Sequence, residues 1–249
     1  MKKLIALLLA LTMIFAFAAC AKAPAKEETK TLTMACSADF PPYEFVNDDG
    51  SYAGIDVDIA QAICDKLGYK LEVKDMDFDG IIAAVESGAV SFGMSGLTIT
   101  DERKESVNFS DSYAKGVQVI LVKEDSEIAT VDDLDGAKIG VQAGTTGDIY
   151  CTDDYGQDNV SQFTKYAMAV EALKNDQVDC VVLDNEPAKA FVEANEGLKI
   201  LDTAYADEDY AAAFNKNDTE LLEQFNKALG ELKADGTLDK IVDKYINAK

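Results

Sequence analysis

The chain has 249 residues, with 23 Lys and Arg against 46 Asp and Glu, no histidine, and a formal net charge of −23. A surface this acidic repels nucleic acid and anionic membrane, which argues against both as electrostatic partners. The lack of histidine removes the commonest general base and the commonest metal ligand, so catalysis by proton transfer is poorly supplied.

Lys2 and Lys3 precede an apolar run over residues 4–17, followed by Ala18, Ala19 and Cys20. A basic start, a short apolar stretch and small residues before a cleavage point read as a signal peptide over residues 1–19. The cysteine after the small residues resembles a bacterial lipobox, with Phe17 in place of the usual leucine. That resemblance implies that Cys20 is lipidated and anchors the chain to the outer face of the membrane. Residues 20–30 show no apolar period and read as a flexible tether. Loss of Lys2 and Lys3 with the signal takes the net charge to −25. The remaining stretch, about 220 residues, exceeds one typical domain. The other cysteines, Cys36, Cys64, Cys151 and Cys180, fit no metal spacing and sit in apolar runs; they are expected to be buried free thiols.

Residues 31–36 form a strand pattern, broken by Pro41 and Pro42. Residues 47–50 are a turn. A helix begins near Gly54 and buries Ile59, Ile63 and Leu67, spaced four apart. Residues 71–73 read as a strand, residues 81–85 as a helix, and residues 91–94 as a strand that delivers Ser95, Gly96 and Thr98 at its C-terminal end. Strand–helix alternation of this kind indicates a parallel α/β sheet, whose ligands bind beyond the C-terminal strand ends. A second α/β set follows: strands at 117–122, 138–141, 162–166, 178–183 and 198–201, helices at 168–174 and 185–194. Between Gln142 and Gly147 a strand, a glycine turn and a helix start bring backbone N–H groups together, which suits an anion. Neither the ending of a P-loop nor the spacing of a dinucleotide fingerprint is present there. Residues 210–214 return as a strand, and two helices close the chain.

Arg103 is the only arginine. A guanidinium offers a rigid planar fork that matches a carboxylate with two parallel hydrogen bonds, which lysine cannot do. Its place just after Ser95, Gly96, Thr98 and Thr100 suggests carboxylate capture. A surface ion pair with Asp101 or Glu102 is the plain alternative. Crossings near residues 113–117 and 210–214 suggest an α/β protein of two lobes joined by two strands, free to close about a cleft. The expected division is residues 31–113 and 215–249 in a large lobe, and 114–214 in the hinge strands and a small lobe.

Residues 54–59 (GIDVDI), the run from Phe40 to Phe45, residues 77–80 (DFDG), 98–103 (TITDER) and 109–111 (FSD) resemble, in order and spacing, the solute-binding proteins of polar amino-acid ABC transporters. Glutamine-binding and lysine/arginine/ornithine-binding proteins are similar. The resemblance implies the periplasmic-binding-protein fold and a monomer that captures a free amino acid and delivers it to an ABC permease. It also implies roles. Arg103 holds the α-carboxylate with help from Thr98, Ser95 and Gly96. Thr145 and Thr146 reach the carboxylate from the second lobe. Asp184 takes the α-ammonium, and Phe40 and Phe78 sandwich the ligand side chain. Taken alone, Asp184 is a helix N-cap and the two Phe are core. Where basic-ligand relatives carry an acid this chain has Ser37, and where some glutamine binders carry a lysine it has Gln142. The distal pocket is therefore expected to be neutral and polar, with a basic ligand as the alternative if Asp39 turns inward. No cofactor and no catalysis are expected. A dehydratase-type enzyme on the same fold and a sensory domain are the competing readings.

Overall fold

A computed structural model describes residues 30–246; the expected signal peptide and Cys20 lie outside them. Strand β1 (Thr31–Cys36) buries Met34, Ala35 and Cys36 completely. The two prolines then turn the chain through β2 (Asp39–Phe40), β3 (Glu44–Val46) and β4 (Tyr52–Ala53), a small antiparallel sheet beside the main one. Helix α1 (Ile55–Leu67) buries Ile55, Ile59 and Ile63 along one stripe, and Gly68 closes it in the left-handed conformation at φ 74°. Such a C-terminal position favours glycine, which has no Cβ to clash. Next come β5 (Lys70–Asp75), a 3₁₀ turn at Phe78–Gly80, α2 (Ile81–Glu86), β6 (Phe92–Gly93), α3 (Asp101–Ser106) and β7 (Val107–Phe109).

The chain then passes to a second sheet through β8 (Ala114–Lys123). It continues with β9 (Ile139–Gln142), α4 (Thr146–Tyr155), β10 (Val160–Phe163), α5 (Tyr166–Lys174), β11 (Cys180–Asp184), α6 (Asn185–Ala194) and β12 (Leu198–Tyr210). It returns to the first sheet as β13 (Ala213–Asn215), and α7 (Thr219–Ala234) and α8 (Thr237–Ile246) finish the fold. The strand orders are β5-β1-β6-β13-β7 and β10-β9-β11-β8-β12. Two α/β lobes joined by two strand connections result. Because β1 pairs in parallel with β5 and β6, and β9 with β10 and β11, the C-terminal strand ends of both lobes face one cleft.

Stacked and edge-on rings of Phe92, Phe214 and Phe225, with centroids 5.0–5.7 Å apart, tie β6, β13 and α7 into one apolar cluster. This is why the last helices belong with the first sheet. Cys36, Cys64, Cys151 and Cys180 are buried free thiols, and burial pushes all four above the ordinary thiol range. The expected strand at 162–166 stops at Phe163, because Tyr166 already begins α5. The expected strand at 198–201 runs on to Tyr210, with register shifts between Ile200 and Ala206. Beyond Leu201 it carries Asp202, Asp207, Glu208 and Asp209, and acids are depleted in strands, so side-chain preference concealed it.

Candidate functional site

The cleft between the sheets is lined by Ser37, Phe40, Phe78, Ser95, Gly96, Thr98, Arg103, Gln142, Thr145, Thr146, Tyr166 and Asp184. The structure thus brings together every expected site residue except Asp39, which lies beside the cleft against Lys165.

Arg103 is 7% exposed, so it is no surface arginine. Thr100 caps α3 by accepting the Arg103 backbone N–H, which fixes the side chain's starting point. Nη1 donates to the Thr98 carbonyl at 2.8 Å, and Nη2 crosses the cleft to the Gly144 carbonyl at 2.9 Å. The guanidinium lies 5.5 Å from the centre of the Phe78 ring. Asp101, the plain ion-pair candidate, pairs with Lys104 instead. Burial lowers the affinity of Arg103 for its proton, and the nearby Glu208 opposes that most strongly.

Asp184 ends β11 and stands at the N-cap position of α6, yet its side chain caps nothing. Its carboxylate accepts a hydrogen bond from the Tyr210 hydroxyl. Burial, and then the neighbouring Glu208, push its pKa up to about 7. A carboxylate that is buried away from water and makes no salt bridge among the described residues is suited to an incoming ammonium. Thr145 spends its hydroxyl on the helix start: it accepts the Asp148 N–H and donates to the Gln142 carbonyl. Thr146, the first residue of α4, is the freer of the two toward a ligand. The Thr98 hydroxyl donates to Glu208 Oε2 at 2.9 Å.

Behind Ser95 and Gly96 sits a pair of carboxyls, Glu44 and Asp56. Ser95 donates its hydroxyl to Glu44 and accepts the Ser37 N–H at 3.0 Å. Asp56 Oδ2 accepts the Gly96 N–H at 2.9 Å and the Tyr113 hydroxyl at 2.7 Å. Glu44 and Asp56 are fully buried, and burial raises both, Asp56 to about 7. Two such carboxyls side by side share a proton rather than ionise together. They hold the Ser95–Gly96 turn in place from behind.

Sequence reading missed Tyr166, which lines the cleft, and Lys165, which stands beside it on Ser37 and Asp39. Tyr166 stacks on Phe40 with centroids 6.0 Å apart, which joins the lobes. The signal available for them was position: both follow directly on the C-terminal end of a parallel strand. Glu208 was missed with the second half of β12; it accepts from Thr98 and, at 3.0 Å, from Gln118.

Two α/β lobes, two connecting strands and a polar cleft lined by buried Arg103 and buried Asp184 are the architecture of a solute-binding protein. The chain belongs to the bacterial extracellular solute-binding proteins, family 3, whose sequence pattern matches residues 32–248. It is 34% identical to the arginine-binding extracellular protein ArtP of Bacillus subtilis, with all of both chains covered. It is also 34% identical to a probable histidine-binding protein of Neisseria gonorrhoeae, over 98% of this chain and 96% of that one. Among solved structures, an ancestral arginine-binding protein bound to glutamine superposes with a TM-score of 0.84 at 42% identity, covering 89% of this chain and all of that one. The protein is accordingly an extracytoplasmic binding protein and not an enzyme. No helix among the described residues is long and apolar enough to cross a membrane.

Proposed function

We propose that the protein captures a free α-amino acid with a neutral polar side chain, closes on it, and delivers it to the permease of an ABC transporter. The observation that carries this reading is the placement of buried Arg103 in one lobe and buried Asp184 in the other, lining one cleft. A zwitterion needs one fork for its carboxylate and one carboxylate for its ammonium, and each charged hydrogen bond contributes about 1.5–3 kcal/mol. The rest of the lining is neutral: Ser37, Gln142, Phe40, Phe78 and Tyr166. Glutamine fits that chemistry, and the ancestral relative named for arginine was solved with glutamine bound. Lipidation of Cys20, with residues 21–30 as tether, would keep the protein beside its permease.

Calorimetry against the twenty amino acids tests the reading. Arg103→Ala should abolish binding with the fold intact. Arg103→Lys should lose about 2 kcal/mol or more, since a point charge replaces a two-bond fork. Wild-type affinity in Arg103→Lys would refute the fork.

A basic ligand is the second reading. It is favoured by the relatives named for arginine and histidine, and by Asp39, whose Oδ2 is buried without a hydrogen-bond partner. Tighter binding of arginine or lysine than of glutamine would select it.

A further inference from the structure

We propose that Lys165 is a specificity-determining residue: its ammonium, reaching across from the second lobe, holds the cation position beside Ser37 and Asp39 and so excludes ligands with positively charged side chains. The inference rests on the cleft being an α-amino-acid site.

Lys165 directly precedes α5, and its position is set by β10, where Phe163 pairs with Gln142 of β9. Gln142 Nε2 then donates to the Thr164 carbonyl at 2.9 Å, which fixes the residue next to Lys165. From there Nζ reaches Ser37 Oγ at 3.0 Å and Asp39 Oδ1 at 3.3 Å, both on the first lobe. Ser37 Oγ in turn donates to Asp39 Oδ1 at 2.8 Å. Ser37 and Gln142 line the cleft, so this ammonium stands directly against the cleft wall.

At the Ser37 and Asp39 end of the cleft the place for a cation is already filled by Lys165. Arg103 and Asp184 match the two charges of a zwitterion. Lys165 and Asp39 match each other. A guanidinium or ammonium on the ligand side chain would place a second cation beside Lys165, and like charges juxtaposed at a binding surface reject a partner. The Lys165 and Asp39 side chains are 28% and 25% exposed, so the pair itself contributes little to holding the lobes shut. Its effect falls on which ligand enters rather than on how firmly the cleft closes.

Calorimetry with glutamine, arginine and lysine on wild type, Lys165→Met, Lys165→Arg and Lys165→Met/Asp39→Asn tests this. Wild type and Lys165→Arg should prefer glutamine. Lys165→Met should gain at least about tenfold for arginine and lysine relative to glutamine, as the repulsion goes and Asp39 is freed. The double variant should lose that gain. A residue that merely latched the lobes would weaken all three ligands alike, and that result overturns the proposal, as does wild type preferring arginine. Melting temperatures of each variant report the fold. Arg103→Ala is the control: if it still binds, the amino-acid site itself is wrong. If binding needs Arg103 but the arginine-to-glutamine ratio ignores Lys165, only the present proposal falls.

Discussion

At Gly96 the backbone has φ +54°, and a Cβ there would lie 2.8 Å from Cε1 of the Phe40 ring. Gly96→Ala should therefore strain the backbone and push Phe40 off its stack with Tyr166. Expected costs are about 1–2 kcal/mol of stability, read by urea unfolding, and a clear loss of ligand affinity, read by calorimetry. Unchanged values in both would show that the ring moves freely. Asp184 gives a second residue-scale expectation. Its pKa in the closed cleft is raised to about 7, chiefly by burial. An ammonium ligand binds the ionised form, so affinity should climb as pH rises through about 7 and level off above it. A flat affinity from about pH 5.5 to 8 would remove Asp184 as the ammonium acceptor. Arg103 was legible because its chemistry is singular in this chain. Glu44 and Glu208 were not, because a carboxylate that faces inward reads like any of the 46 acids until neighbours from distant segments surround it.

Among the elements, legibility followed hydrophobic pattern. Helix α1, with its fourfold Ile spacing, and β11, a continuous buried run, were visible in the sequence. The hairpin of β3 and β4 was hidden behind two prolines, and the acidic half of β12 behind its composition. Those two stretches hold Glu44 and Glu208, so the same blind spots concealed the supports of the site. Asp56, at the start of α1, shows what such supports cost. Folding raises its pKa from the ordinary 3.8 to about 7, so the folded state favours the protonated form. The stability this brings is present at low pH and is lost as pH rises from about 4 to about 7. General repulsion on an acidic surface has the same sign, so a comparison is needed. Asp56→Asn should flatten the fall in urea midpoint over that window relative to wild type. Parallel curves for the two proteins would mean that the Glu44–Asp56 pair does not take up a proton on folding. Acids held low by local bonds, such as Asp133, titrate below this window and leave the comparison clean.

For the whole molecule the question is what closes it. The lobes meet through Arg103 Nη2 on the Gly144 carbonyl, through Phe40 on Tyr166, and through Lys165 on Ser37 and Asp39. Each of these contacts uses a residue that also lines the cleft, so closure and binding draw on the same side chains. Gly144 permits the approach: its φ is +75°, and a Cβ would stand 3.0–3.1 Å from Cβ and Cα of Asp79 in the other lobe. Arg103, Phe40 and Tyr166 are buried in these contacts, whereas the Lys165 and Asp39 side chains are 28% and 25% exposed. A ligand that touches Arg103 in one lobe and Asp184 in the other binds fully only when the lobes meet, and it shifts the population by that difference in affinity. Small-angle scattering should show a smaller radius of gyration on adding glutamine to wild type and no change in Arg103→Ala. Glutamine at about a hundred times its Kd should stabilise wild type by about 2.7 kcal/mol against unfolding. Gly144→Val should keep the open form at saturating ligand, because the branched side chain meets the Asp79 backbone. Compaction of Gly144→Val to the wild-type radius would show that closure does not pass through this contact, and that the lobes meet elsewhere when the ligand is in place.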